Sequence, residues 1–247
     1  MGFTKAVKHQ ARLRMGILGP ANGGKTYSAL AIASGLCATG KQVALIDTEH
    51  GSASLYADDF DFDVEGLSPP FHPQNYIDKI KEAEKDGTYD VAIIDSLSHG
   101  WMAEGGVLDI VDAAAKRSKS GNSYMAWREG TSYQNALVEA MLQSPLHIIA
   151  TIRTKMEYVQ EKDGNGKTVI RKVGLQPVQR EGMEYEFTIV GDMNQDHDMV
   201  ITKSRCSELS DRVFKKPGAE LGRQLREWLM SGAPIIGHTE TNNDDVF

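Results

Sequence analysis

Apolar and polar positions follow two different periods along this chain, and the switches between them outline a fold. Residues 13–18 (LRMGIL), 43–47 (VALID), 89–96 (YDVAIIDS) and 146–152 (LHIIATI) are short, nearly continuous apolar runs. Runs of this kind suit strands buried on both faces, as in a parallel sheet. Between them lie helical periods. Residues 74–85 place Tyr76, Ile77, Ile80 and Ala83 on one side, which predicts an amphipathic helix. Residues 26–38 are rich in small side chains, with Leu30, Ala33, Gly35 and Leu36 free to pack on a sheet. Gly40 and Gly87 stop these two helices. Residues 107–116, 132–143 and 220–230 read as further helices, with a mobile loop after the first of the three. Residues 61–67, 185–190 and 199–203 read as additional strands. The turn string Asp163-Gly164-Asn165-Gly166 between residues 158–160 and 168–170 predicts a β-hairpin. Strands alternating with helices predict an α/β protein with a mostly parallel central sheet flanked by helices.

Composition narrows the picture. With 247 residues, one large domain over 1–232 followed by an acidic tail over 233–247 is the expected organisation. A net charge of -7 argues against a protein that coats nucleic acid with its whole surface, so any such contact must be local. Cys37 and Cys206 make no zinc spacing and read as reduced thiols of a cytosolic protein. No apolar run approaches membrane-spanning length. No signal peptide is expected, and Ala6 spoils the myristoylation pattern that Met1-Gly2 would begin. The basic residues Lys5, Lys8, Arg12 and Arg14 suggest a solvated N-terminal arm.

The chemistry starts at residues 19–26. Gly19, Pro20, Ala21, Asn22, Gly23, Gly24, Lys25 and Thr26 fit G-x-x-x-x-G-K-[ST], and they sit between a strand and a helix as a phosphate-binding loop must. The glycines let backbone N–H groups close on a phosphate without a Cβ in the way. Lys25 supplies a charge for the β- and γ-phosphates, Thr26 a hydroxyl for Mg²⁺, and the helix that begins through Tyr27 its positive end. No N-K-x-D string is present, which favours adenine over guanine.

Two acidic strand ends complete the set. The apolar run over 89–96 ends in Asp95, the pattern of a strand whose Asp orders the Mg²⁺ shell. Ser96 follows it, so no adjacent glutamate can act as base there. The run over 43–47 leads into Asp47-Thr48-Glu49, where Asp47 and Glu49 should face one side of an extended chain. A carboxylate at the C-terminal edge of a parallel strand lies where α/β folds hold ligands. Glu49 is therefore the candidate general base for an attacking water.

The hairpin region is basic in an acidic protein. Arg153, Lys155, Lys162, Lys167, Arg171 and Lys172 are candidate contacts to nucleic-acid phosphates, and Tyr158 a candidate stacking ring. A solvated hairpin edge guarded by lysines would look the same.

The order of these features resembles the RecA superfamily core over residues 12–229. Residues 46–50 look like its catalytic-glutamate strand end, residues 152–156 like the start of its second DNA-binding loop, and Lys203-Ser204-Arg205 like the cationic finger of RecA-fold rings and filaments. The runs over 150–158 and 202–206 look most like phage-encoded RecA-like ATPases, some of which act in single-strand annealing. The resemblance implies ATP and Mg²⁺ as cofactors, and hydrolysis stimulated by DNA. It implies single-stranded DNA as partner, self-association into a ring or filament, and residence in the bacterial host cytoplasm. Lys203 or Arg205 would act on a neighbour's nucleotide. One departure concerns Thr151, which stands where RecA-like recombinases carry a glutamine that senses the γ-phosphate. The tail, ending Asp244-Asp245-Val246-Phe247, is similar to the tip of bacterial single-strand-binding proteins. It reads either as a solubilising tail or as a segment for a partner's basic pocket or the chain's own DNA site. A helicase loader, a DnaB-like motor and a P-loop kinase for small substrates share the same nucleotide motifs.

Overall fold

The computed structural model describes residues 2–117, 123–162 and 168–234, with backbone alone at 86, 123, 158–162 and 168–173. The apolar runs form the strands β1 (Arg14–Gly19), β2 (Gln42–Asp47), β4 (Tyr89–Asp95) and β5 (His147–Lys162), with the short β3 (Asp63–Gly66) at one edge. On the other side lie β7 (Ile189–Met193), β8 (Asp198–Ser204) and β9 (Val213–Lys215). The sheet order is β3-β2-β4-β5-β1-β7-β8-β9. Neighbours from β3 through to β7 are parallel, and β8 and β9 add antiparallel strands. The fold is thus α/β, a mostly parallel central sheet flanked by helices.

Helices cover both faces. On one, α1 (Lys25–Leu36) and α6 (Ala219–Met230) close a core with Met15, Ile17, Leu45, Ile93 and Ile149. A Cβ at Gly35 would lie 1.9 Å from the Ala219 carbonyl oxygen, so these two helices meet backbone to backbone. On the other face, α2 (Pro73–Glu84) and α5 (Ser123–Gln143) pack over Leu18, Ile46, Ile94 and Ile148. Between β4 and α5, a single turn α3 (His99–Met102) leads into α4 (Val107–Arg117).

Three expectations are corrected. Much of the stretch expected as a mobile loop after the helix at 107–116 is helix, because α5 already begins at Ser123 and runs 21 residues, and residues 118–122 lie outside the described residues. Tyr185 belongs to a 3-10 turn, and the strand expected at 185–190 begins only at Ile189. The basic arm is not simply solvated: Lys8 Nζ donates to the Trp228 carbonyl (2.7 Å), Arg12 pairs with Asp90 (2.9 Å), and Arg14 is buried against carbonyls at the end of α5. The tail from 235 onward lies outside the described residues. No described helix is long and apolar enough to cross a membrane.

Parallel pairing sets one edge of the sheet as the working edge. Asp47 is registered with Asp95, Ile17 with Thr151, and Gly19 with Arg153. The C-terminal ends of β1, β2, β4 and the sheet portion of β5 therefore converge, as expected for ligand sites in α/β folds. Beyond Arg153, β5 leaves the sheet and pairs antiparallel with β6 (Thr168–Pro177), from Thr154↔Pro177 to Lys162↔Thr168. The hairpin is longer than its turn string alone implied, and the turn itself lies outside the described residues.

Candidate nucleotide site

The loop from Pro20 to Gly24 links β1 to α1 with two left-handed residues, Asn22 (φ 61°) and Gly24 (φ 83°). Gly24 is a position where a side chain would be strained, and a Cβ there would also come 3.1 Å from His197 Nδ1. Lys25, the first residue of α1, turns its Nζ onto the Pro20 carbonyl at 2.8 Å. Its ammonium pKa is lowered by burial, against the pull of Asp95 and Glu49, with Arg153 lowering it further. All four groups therefore feel one another across the loop.

Asp95 is buried, and a threonine hydroxyl donates to each of its oxygens: Thr26 Oγ1 to Oδ2 at 2.6 Å, Thr151 Oγ1 to Oδ1. Burial raises its pKa, while the Thr151 and Thr26 hydrogen bonds oppose the rise. Thr151 thus supports the carboxylate from the next strand. Hard oxygen ligands, one carboxylate and one hydroxyl, leaving room for phosphate and water, are the donor set that suits Mg²⁺. The described residues contain no group of three or more His, Cys, Asp or Glu that would hold a metal on protein ligands alone. The residues present fit a magnesium nucleotide.

The extended chain expected to carry both Asp47 and Glu49 does not reach Glu49. The strand ends at Asp47, whose buried carboxylate accepts the backbone N–H groups of Glu49 and Ala53. Asp47 thereby fixes the turn that presents Glu49. The Glu49 carboxylate is gripped by Arg153 through two parallel bonds, Nε to Oε1 at 2.9 Å and Nη2 to Oε2. Burial pushes the Glu49 pKa up, but the hydrogen bond and charge of Arg153 outweigh it and leave the carboxyl below its ordinary value.

Two polar neighbours were not legible in the string. His99 Nδ1 lies 2.7 Å from Thr48 Oγ1, which also accepts the Ser96 N–H at 2.7 Å. Burial lowers the His99 pKa, and Arg153 lowers it further against Glu49. Gln179, just after β6, donates to the Leu97 carbonyl at 3.2 Å. A lone His and a lone Gln carry no motif, so only the fold reveals them.

Tyr27 is 45% exposed and sits edge-on to Tyr56 and Phe60, with ring centroids 5.6 Å and 5.1 Å away. It borders an open cavity of about 720 Å³ beside the loop, lined also by Asn22, Gly24, His197 and Lys216. The cavity adjoins the phosphate loop and is roomy enough for a base and sugar.

The other candidate residues lie elsewhere. Lys155 is exposed on the hairpin stem. Tyr158 is registered with Lys172, Val159 with Arg171, and Lys162 with Thr168, all in the backbone of the hairpin. Lys167 lies outside the described residues. Lys203 and Arg205 lie at the opposite end of the sheet from the phosphate loop, because Ser204 pairs with Ile189, where β7 begins. Lys203 Nζ donates to the carbonyls of Glu184, Tyr185 and Phe187, at 3.0, 2.5 and 2.7 Å. Arg205 is exposed, and among the described residues its guanidinium makes no hydrogen bond or ion pair.

A family model described as an AAA domain matches residues 11–214. No curated protein matches the chain. Among solved structures, a KaiC-like protein from the hyperthermophilic archaeon Pyrococcus horikoshii OT3 is similar at 16% identity and a TM-score of 0.46, over 83% of this chain and 88% of that one.

Proposed function

The chain belongs to the AAA domain family, and from that premise we propose that it is a Mg²⁺-dependent ATPase of the RecA type that binds single-stranded DNA and promotes its annealing or pairing. The observation that carries this reading is the meeting of Lys25, Thr26, Asp95 and Glu49 at one sheet edge, tied by the Thr26–Asp95 hydrogen bond. Backbone N–H groups of the loop and Lys25 bind the β- and γ-phosphates. Thr26 and Asp95 hold Mg²⁺, which supplies neutralisation of the phosphate charge when bound. Glu49 orients the attacking water and takes its proton. The base and sugar occupy the cavity beside Tyr27.

Arg205 fits a finger that acts in trans. It is at the far end of its own sheet, so it can serve only a nucleotide held by a neighbouring copy, and a ring or filament follows. Lys203 positions the turn beside it. The DNA part of the reading is supported by the basic hairpin that leaves the site at Arg153, with Lys155 exposed on its stem. Phosphate release should rise severalfold with single-stranded oligonucleotide, and the protein should size as an oligomer with ATP. Transfer of the phosphoryl group to a small hydroxylated acceptor, with no response to DNA, would instead favour a kinase. Duplex unwinding would favour a helicase-like motor.

A further inference from the structure

The grip of Arg153 on Glu49 sets a conflict at the site. A general base works best when its carboxylate is free to meet water, and a guanidinium bound side-on makes it less basic. Yet Arg153 holds both oxygens of Glu49. Arg153 is also registered with Gly19, the first residue of the phosphate loop. A terminal phosphate in that loop would present three oxygens and more charge than a carboxylate, and guanidinium binds either group bidentately.

The same residue is the root of the hairpin. Its backbone N–H donates to Ser98 Oγ at 2.9 Å, and its carbonyl accepts the Val178 N–H at 2.7 Å. Gln179, at the end of the returning strand, donates to the Leu97 carbonyl, and Leu97 N–H donates to the Thr151 carbonyl at 3.0 Å. Both roots of the hairpin are therefore fastened to residues 97–98, directly beyond Asp95. The side chain of Arg153 ties the hairpin strand directly to the Glu49 carboxylate, beside the bonds that the Ser96 N–H and His99 make to Thr48.

We propose that Arg153 is a positioning residue that passes between the Glu49 carboxylate and the terminal phosphate of bound ATP, so that phosphate binding frees the base and shifts the hairpin root together. The inference rests on the ATPase reading above. It gives the chain a reporter of the γ-phosphate two residues beyond Thr151, whose hydroxyl is committed to Asp95. Without a γ-phosphate, Arg153 stays on Glu49 and the base is restrained. With one, Glu49 is released next to the atom it serves. Because the coupling is thermodynamic, whatever binds the hairpin better in one state also alters affinity for the γ-phosphate.

The test is amide hydrogen exchange of the hairpin stem, residues 154–157 and 174–178, in the full chain saturated with ADP or with a non-hydrolysable ATP analogue. The wild-type stem should exchange at rates differing roughly fivefold or more between the two nucleotides, the lower end of typical coupling. Arg153→Gln should abolish that difference while both nucleotides still bind by calorimetry. Glu49→Gln, which weakens the grip, should give the analogue-like rate with no nucleotide. If Arg153→Gln does not fold, Arg153→Lys keeps the charge but loses the fork, and should at least halve the difference. A difference undiminished in the Arg153 variant, or absent from a wild-type chain that binds both nucleotides, would overturn the proposal. A wild-type chain that binds neither nucleotide would overturn the ATPase reading instead, and this inference with it.

Discussion

Thr151 shows how much one hydroxyl can decide. Asp95 is buried and its pKa is raised by that burial, which works against a metal that needs the ionised form. The Thr26 and Thr151 donors hold it toward that form. Removing one donor leaves a buried acceptor short of a partner, at about 1–3 kcal/mol. Thr151→Val should therefore raise the Asp95 pKa further and weaken Mg²⁺-dependent nucleotide binding. The sign follows from linkage: a higher carboxyl pKa means the loss of Mg²⁺ affinity on acidification begins at a higher pH. Calorimetric titration of the nucleotide with and without Mg²⁺ at several pH values checks this. Lys203 and Arg205 make a second contrast. Lys203 serves three carbonyls of its own chain, so Lys203→Met should cost about 1–3 kcal/mol of stability. Arg205→Ala should change stability by less than about 0.5 kcal/mol, as denaturant unfolding will show. The phosphate loop and Asp95 were legible because each is a contiguous string with a local signature. The Arg153–Glu49 pair was not, because the partners lie 104 positions apart and only strand order brings them together. Arg153 read as one more cation in a basic stretch.

At the scale of elements, the apolar runs located β1, β2, β4 and the sheet portion of β5, because burial on both faces leaves no polar alternation to confuse them, whereas β7, also buried and parallel, was placed four residues early. The elements that were misread have polar or glycine-bearing sequences. In α5, which was expected only from 132, a Cβ at Gly130 would fall 2.4 Å from Val111 Cγ2, so the glycine lets α4 lie close against a continuing helix. The short strand β9 has no apolar run to announce it, with Val213 and Lys215 both exposed. The contact between α1 and α6 is tighter still. Gly35→Val would drive a branched side chain into the Ala219 carbonyl, and overpacking of this kind costs about 1–3 kcal/mol or more. A thermal melt should show a midpoint lower by roughly 2–4 °C for each kcal/mol lost. Since α1 carries Lys25 and Thr26 at its start, nucleotide affinity should fall with it.

For the whole molecule, the sheet separates two functional ends. The nucleotide site occupies the C-terminal edge of the parallel strands, and Arg205 the other edge, so under the proposed finger role a complete catalytic site would take two copies of the chain. This predicts complementation. A Lys25→Ala chain lacks a working loop but keeps its Arg205, whereas an Arg205→Ala chain keeps its loop but lacks the cation it would lend. Each alone should be nearly inactive, since cationic fingers contribute roughly 10³-fold or more. Mixed, they should recover a measurable fraction of wild-type turnover, read as phosphate release against mixing ratio.

Everything in this account turns on Glu49 as the base beside the terminal phosphate. The most direct measurement is single-turnover ATP hydrolysis by Glu49→Gln, alongside nucleotide affinity on the same preparation. Affinity should stay within a few-fold of wild type and hydrolysis should slow by about 10²–10⁴-fold, the range for a lost general base. Hydrolysis at the wild-type rate, with the nucleotide bound equally well, would contradict that role of Glu49.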